Sequence, residues 1–390
     1  MPRDPNGRKL GPNDPCWCGS GIKYKRCYYR RESQVHRPFG YYENKRIKNE
    51  KSTSYCSCEF DNACCVSKIV RAHSVSRASS LSEIEDNGHV LSLELSVPTS
   101  EDDVVRDDVI FRKIGINRAS TVRAFCEYHD RKLFRQLDTL DLGDKALFFW
   151  QLIYRTVCFE SYRKVLASKF VPLMRELDQG KSKVDQAIWQ DYITRQELGH
   201  RMGYNDLDKF RAELEALYQQ KKYADELKFL YYFVPKKVPV AGAGVFQPDR
   251  DINGALLQNV NMFFRSGDRI FARSLDQICC SILPSTNGTL LAFCSLRAHK
   301  RSVAFMKTFL HTSRAVVDNF IGLAALKMEN LYFDPSFIAS LPDLQKQKMK
   351  RLHSFGIGED VKTNEMAAAM RLGIFEPQEF KSECSHNFVV

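Results

Sequence analysis

The grouping of cysteines constrains this chain more than any other feature of its sequence. Eight of its 13 cysteines lie between positions 16 and 126, and they form three groups: Cys16, Cys18 and Cys27; Cys56, Cys58, Cys64 and Cys65; and Cys126 with His129. The start of the chain, MPRDPNGRKLGPNDP, carries charge but lacks the apolar stretch of a secretory signal. Without such a signal, grouped cysteine and histidine favour metal binding over disulfides. The sequence therefore predicts a cytoplasmic metal-binding protein.

The composition is that of a folded protein without membrane segments. Apolar residues make up 44% of the chain and charged residues 27%, as in an ordinary globular protein. There is no run of about 18 apolar residues, so we expect no membrane-spanning helix and no membrane partner. Four later cysteines lie in apolar stretches and are expected to be small core residues: Cys158, Cys279, Cys280 and Cys294.

The positive charge is concentrated at the N-terminal end. The chain has a net charge of +11, and residues 1–50 hold twelve Lys/Arg against five Asp/Glu. A basic segment favours an acidic partner, most commonly nucleic acid, although a solubilising tail would have the same composition. We expect Lys23, Lys25 and Arg26 to contact nucleic acid.

The first cysteine group belongs to the run NDPCWCGSGIKYKRCY, residues 13–28. Cys16 and Cys18 can hold one side of a metal ion, the glycines allow a sharp turn, and Cys27 returns to the other side. This run resembles the SEC-C motif, whose usual form is DPCPCGSGKKYKKCC or the same ending in CH. The resemblance implies a Zn²⁺ ion held by these three thiolates, in a motif that docks protein partners or other macromolecules.

The run departs from the SEC-C pattern at its last position. The family's fourth ligand corresponds to position 28, where this chain has Tyr28. Structural zinc takes four ligands. Three alternatives therefore remain open: water, another side chain such as His36, or weaker binding.

The second and third cysteine groups have the two halves of a treble-clef zinc site. Cys126 and His129 form a C-x2-H at a helix start, where both side chains share one face. The other half is Cys58 with Cys64 or Cys65, of which we prefer Cys65. We expect the helix itself to begin further upstream, capped by Ser120 or Thr121.

This layout resembles HNH-type nucleases, in which a zinc knuckle, a strand with a histidine base and a hairpin precede the zinc-binding helix. The resemblance implies that His73 activates water and that Asp130 binds a catalytic Mg²⁺ or Mn²⁺ ion. Two positions depart from the nuclease pattern. The family has an acidic residue or histidine at the position of Ala72, and an asparagine at the position of Thr121. The same segments also resemble a set of uncharacterised bacterial proteins.

The expected fold class is α+β, with a small antiparallel sheet in a helix-rich C-terminal domain. Alternation in HVLSLELSV and VIFRKIGI predicts strands, and apolar spacing predicts helices over residues 144–176 and 181–232. The expected domains are a zinc motif (1–32), a basic linker (33–54), a treble-clef, HNH-like zinc unit (55–140) and a helix-rich α+β domain (141–390).

The leading functional hypothesis is a zinc-dependent protein that binds macromolecules, most commonly nucleic acid. The alternatives are an HNH-like endonuclease acting in defence or as a toxic effector, and a protein-interaction adaptor that uses the SEC-C motif. The sequence names neither the substrate nor the partner.

Overall fold

The computed structural model describes most of the chain, in two compact units. The motif unit is Met1–Ser54 with Ser161–Asn205, and the sheet unit is Tyr55–Glu160 with Asp206–Val390. The described residues are 8–18, 21–35, 39–58, 60–61, 65, 67–95, 109–259, 275–310, 315–358, 366, 368–369, 371–377 and 379–385.

The described residues form both helices and strands. The helices are α1 (Tyr24–Cys27), α2 (Phe39–Ser52), α3 (Glu127–Leu133), α4 (Arg135–Asp138), α5 (Lys145–Arg175), α6 (Lys183–Gln219), α7 (Tyr223–Glu226), α8 (Lys300–Phe309), α9 (Val316–Lys327), α10 (Pro335–Ser340) and α11 (Asp343–Gly358). The strands are β1 (Ile69–His73), β2 (His89–Leu95), β3 (Val109–Gly115), β4 (Thr121–Cys126), β5 (Leu227–Val234), β6 (Val240–Phe246), β7 (Ile278–Ser285), β8 (Gly288–Leu296), β9 (Leu331–Phe333) and β10 (Lys381–Cys384). Short 3₁₀ turns occur at Arg31–Ser33, Leu81–Glu83 and Glu176–Asp178.

An antiparallel sheet forms the core of the sheet unit. Its described strands run in the order β10-β5-β8-β7-β6-β9-β2-β3. Helices cover both faces: on one face Phe149 of α5 stacks on Phe229 of β5 at 4.3 Å, and on the other Phe320 of α9 stacks on Phe293 of β8 at 4.4 Å. Strand β8 is therefore buried along its whole length. This double cover explains why GTLLAFCSL is apolar at most positions on both faces instead of alternating.

The sheet is larger than the small one that the sequence predicted. HVLSLEL and VIFRKIG do form strands β2 and β3, but they join this same sheet across the predicted boundary at residue 140. The connection is made by β9, three residues long, which pairs with β2 on one side and β6 on the other. The predicted helix over 181–232 ends at Gln219, because the apolar run LKFLYYFV forms β5.

A second, two-stranded sheet leads into α3. Strands β1 and β4 pair antiparallel, with Ile69 opposite Cys126 and His73 opposite Thr121. The predicted helix start at Ser120 or Thr121 is therefore wrong: Thr121–Cys126 is a strand, and the helix begins at Glu127. Ser120 instead has a φ of 56°, and its hydroxyl accepts a hydrogen bond from the Val75 amide at 2.9 Å.

The predicted basic linker is largely helical. Helix α2 spans Phe39–Ser52, and two side-chain contacts within the motif unit hold its C-terminal end. The Asn49 amide donates to the Lys169 carbonyl at 3.2 Å, and the Tyr162 hydroxyl donates to the Thr53 carbonyl at 2.8 Å. The charges of this segment are therefore displayed on a folded helix.

Candidate metal centres

The three cysteines of the first group converge in the motif unit. The thiol sulfurs of Cys16, Cys18 and Cys27 all lie within 4.8 Å of one another, and the last two are 3.5 Å apart. The turn between them closes through a backbone hydrogen bond from Cys16 to the Ile22 carbonyl at 2.9 Å. Gly21 has a φ of +70° in this turn, a conformation that glycine adopts without strain.

The electrostatics of this group call for a cation. Hydrogen bonds with the thiols of Cys18 and Cys27, together with burial, raise the pKa of the Cys16 thiol. Three thiolates so close together repel one another unless a positive ion compensates for their charge. A soft, compact donor set of this kind fits a metal ion such as zinc.

Tyr28, at the position of the missing ligand, is engaged elsewhere. Its hydroxyl donates a hydrogen bond to Asp178, whose carboxylate also accepts from the Arg31 Nε at 2.6 Å and the Gln190 Nε2 at 2.8 Å. Burial and the hydrogen bond to Asp178 raise the pKa of the Tyr28 hydroxyl, which keeps it protonated. Position 28 therefore anchors the motif instead of supplying a ligand. His36, the suggested replacement, lies outside the described residues.

Further hydrogen bonds to backbone carbonyls also hold the cysteine motif. The Arg31 guanidinium donates to the Arg175 carbonyl at 2.6 Å, and the Gly180 amide donates to the Arg31 carbonyl at 3.1 Å. Arg175 in turn donates to the carbonyl of Cys18 at 3.4 Å. The cysteine motif is thus packed against the end of α5 and the turn that follows it.

The second candidate centre lies in the sheet unit and has four donors. Cys56, Cys65, Cys126 and His129 place one ligand atom each within 4.8 Å of the others. The His129 Nδ1 is 3.1 Å from the Cys56 sulfur, 3.5 Å from that of Cys65 and 3.3 Å from that of Cys126. His129 and Cys126 are buried. Three thiols and one imidazole form the donor set of a closed, tetrahedral structural site.

One predicted ligand of this centre differs from the structure. Cys56, not Cys58, joins the group, together with Cys65. Cys58 is fully buried, and its thiol hydrogen-bonds with Cys56. That contact and backbone N–H groups, including that of Cys126, lower the pKa of the Cys56 thiol to about 4. Cys64, the other alternative, lies outside the described residues.

A buried polar network with no local signal in the sequence supports the segment between Cys56 and Cys58. The Ser57 carbonyl accepts hydrogen bonds from the Tyr154 hydroxyl and the Arg211 guanidinium, each at 3.0 Å. The Glu215 carboxylate accepts from the same two side chains at 2.8 and 3.0 Å. These residues come from α5 and α6, about 100 and 150 positions from Ser57 in the sequence. No local pattern links them to it.

The two predicted catalytic residues are each engaged in other contacts. His73, at the end of β1, has its Nε2 3.2 Å from the Ile116 carbonyl, and burial lowers its pKa. Asp130, in α3, pairs with the buried Arg155 at 3.2 Å. Burial raises the pKa of Asp130. Among the described residues, neither side chain belongs to a group of three or more metal donors.

The predicted nucleic-acid contacts, Lys23, Lys25 and Arg26, are all exposed. They belong to a unit with a large charge excess: the motif unit holds 21 Lys/Arg and 10 Asp/Glu, whereas the sheet unit holds 37 of each. The whole net charge of +11 therefore lies in the motif unit. Helix α2 adds three exposed lysines to it: Lys45, Lys48 and Lys51.

Comparison with known proteins identifies the first centre only. The family model described as the SEC-C motif matches residues 13–27. No curated protein and no solved structure matches the chain. Within the described part of the chain, none of the helices is long and apolar enough to cross a membrane.

Proposed function

We propose that this protein binds nucleic acid through the motif unit and that zinc ions at the two cysteine centres stabilise its fold. The observation that carries the proposal is the charge partition. Two stretches of sequence separated by more than 100 residues come together in one unit, and that unit carries the entire net charge of +11. A solubilising tail gains nothing from folding with a distant segment, whereas a binding surface gains a fixed arrangement of its charges.

The motif and α2 would supply the phosphate contacts. Lys23, Lys25 and Arg26 are exposed around the first cysteine centre, and α2 presents its three lysines within one half of its circumference. Each contact with a phosphate releases condensed counterions, so binding weakens as salt rises. Zinc at Cys16, Cys18 and Cys27 would hold the first set in place without ligating through them.

The test measures affinity for a labelled DNA duplex and a labelled single strand by fluorescence anisotropy, from about 50 to 300 mM salt. We expect about five phosphate contacts on duplex DNA, which correspond to a log–log slope of about −4 to −5. Replacing Lys45, Lys48 and Lys51 with Gln should make the slope shallower by up to about 2.7 units, and so should the same change at Lys23, Lys25 and Arg26.

A matched control comes from the sheet unit. Lys222, Lys236 and Lys300 are exposed, and their triple change to Gln removes the same charge. It should leave the slope within about half a unit of the wild-type value. Equal effects of the control and the α2 variant would mean non-specific attraction, and no binding at 50 mM salt would favour a protein-interaction adaptor instead.

A second candidate function has one observation in its favour. The paired strands β1 and β4, followed by α3 with its Cys/His donors, have the order expected of the ββα unit of a zinc-stabilised treble clef. In that arrangement His73 ends the first strand and Asp130 lies in the helix. An HNH-like nuclease would use these two side chains. We rank it second because Asp130 already neutralises Arg155.

A further inference from the structure

The second metal centre has a polar contact on the side of His129 that faces away from the thiols. The Nδ1 atom faces the three sulfurs, and the Nε2 atom lies 3.4 Å from the carboxylate oxygen of Asp61. We propose that Asp61 is a positioning residue of this centre, which holds His129 in the orientation and tautomer that metal binding requires. The inference rests on the proposed zinc function.

The chemistry of imidazole makes the two contacts interdependent. A neutral ring carries a single N–H, and only the nitrogen without it can offer a lone pair to a metal. An acceptor at Nε2 stabilises the proton there and leaves the Nδ1 lone pair directed at the sulfurs. Metal-bound histidines in proteins commonly donate their second N–H to such an acceptor, and the loss of that acceptor typically weakens metal binding about 10- to 100-fold.

The backbone of Asp61 also contacts two of the neighbouring cysteines. Its amide donates to the Cys58 carbonyl at 3.3 Å, and its own carbonyl lies 3.9 Å from the Cys65 sulfur. The backbone of Asp61 is therefore held between Cys58 and Cys65, which places its carboxylate within reach of His129. It does not belong to the donor group itself, which consists of Cys56, Cys65, Cys126 and His129 among the described residues.

A casual surface pair is the competing explanation for this contact. The Asp61 side chain is 40% exposed, and ion pairs at exposed positions contribute little. The His129 side chain, however, is only 3% exposed. An acceptor for its second nitrogen therefore satisfies a buried polar group, which a surface pair does not do.

The test compares Asp61→Ala with Asp61→Asn in the full chain. Zn²⁺ is titrated against a chromophoric chelator, and a Cys18→Ser background identifies the constant that belongs to the second centre. We expect Asp61→Ala to weaken zinc binding at that centre about 10- to 100-fold. Asp61→Asn should retain most of the affinity, because its amide oxygen still accepts from Nε2–H. Asp225→Ala, on the exposed side of α7, is the matched control.

A spectroscopic measurement separates positioning from a general loss of structure. In ¹⁵N-histidine-labelled, zinc-bound protein, the Nε2–H proton of His129 should exchange slowly in the wild type and in Asp61→Asn, and rapidly in Asp61→Ala. Wild-type affinity and slow exchange in Asp61→Ala would overturn the role of Asp61 alone. Wild-type protein that binds no zinc at the second centre would instead overturn the proposed function on which this role rests.

Discussion

The hydroxyl of Tyr28 donates a hydrogen bond to the carboxylate of Asp178, a residue 150 positions further along the chain. In the SEC-C pattern, position 28 corresponds to the fourth zinc ligand. In this chain the Tyr28 hydroxyl instead contacts the carboxylate of Asp178, which is completely buried. The motif is consequently tied to the helical part of the motif unit, and its stability depends on that contact.

This anchoring predicts that Tyr28→Phe lowers stability without removing metal. The substitution leaves the buried Asp178 carboxylate with one donor fewer, which typically costs about 1–3 kcal/mol. Thermal unfolding should show a lower Tm, while metal analysis of the purified protein should show unchanged zinc. Tyr29→Phe is the control. Tyr29 is 44% exposed, so the loss of its hydroxyl should leave the Tm unchanged. Loss of zinc in Tyr28→Phe would mean that the hydroxyl is a ligand after all.

Metal analysis should find about two zinc ions in each freshly purified, reduced chain, because the two centres are built on separate sets of donors. We expect Cys18→Ser to lose one ion and Cys126→Ser to lose the other. Chelation should open both units to limited proteolysis, because the second centre joins segments that are distant in sequence and the first holds a short run with only a small apolar cluster of its own. A zinc-free wild-type protein would contradict the assignment of both centres.

The choice between Cys56 and Cys58 gives a sharper test. The structure places Cys56 among the donors and Cys58 beside it, fully buried and hydrogen-bonded to it. Cys56→Ser should therefore lose the zinc of the second centre, whereas Cys58→Ser should retain it. The Cys58 variant should lose only packing and hydrogen-bond energy, about 1–2 kcal/mol by chemical denaturation. The reverse result would restore the assignment made from sequence.

The sequence was sufficient where the chemistry is local. The ligands of the first centre lie within twelve residues, so their spacing alone brings Cys16, Cys18 and Cys27 together. The grouping of Cys126 with His129 could likewise be predicted from their C-x2-H spacing. The choice between Cys56 and Cys58 could not be predicted, because both residues fit the C-x-C spacing. Only the complete burial of Cys58 in the folded chain distinguishes the two.

Long-range assembly accounts for the rest of the differences. From the sequence, the basic segment was expected only at the N-terminal end, whereas Ser161–Asn205 contributes 8 of the 21 cations in the motif unit. Strand β4 was predicted as helix because the helical signal of α3 extends backwards into TVRAFC. Its pairing with β1, about 50 residues earlier in the chain, determines its conformation.

The final prediction concerns catalysis at the second centre. We expect no cleavage of DNA or RNA by the wild-type protein in Mg²⁺ or Mn²⁺, because a catalytic ion at Asp130 would have to displace Arg155. Arg155 is buried, so Asp130→Asn should cost about 1–3 kcal/mol in stability, at the lower end because the pair with Asp138 at 2.6 Å remains. Gel assays at low salt and denaturant titrations measure the two outcomes. Cleavage that disappears in His73→Ala while binding persists would establish a nuclease, because a general base contributes to the transition state and little to ground-state affinity.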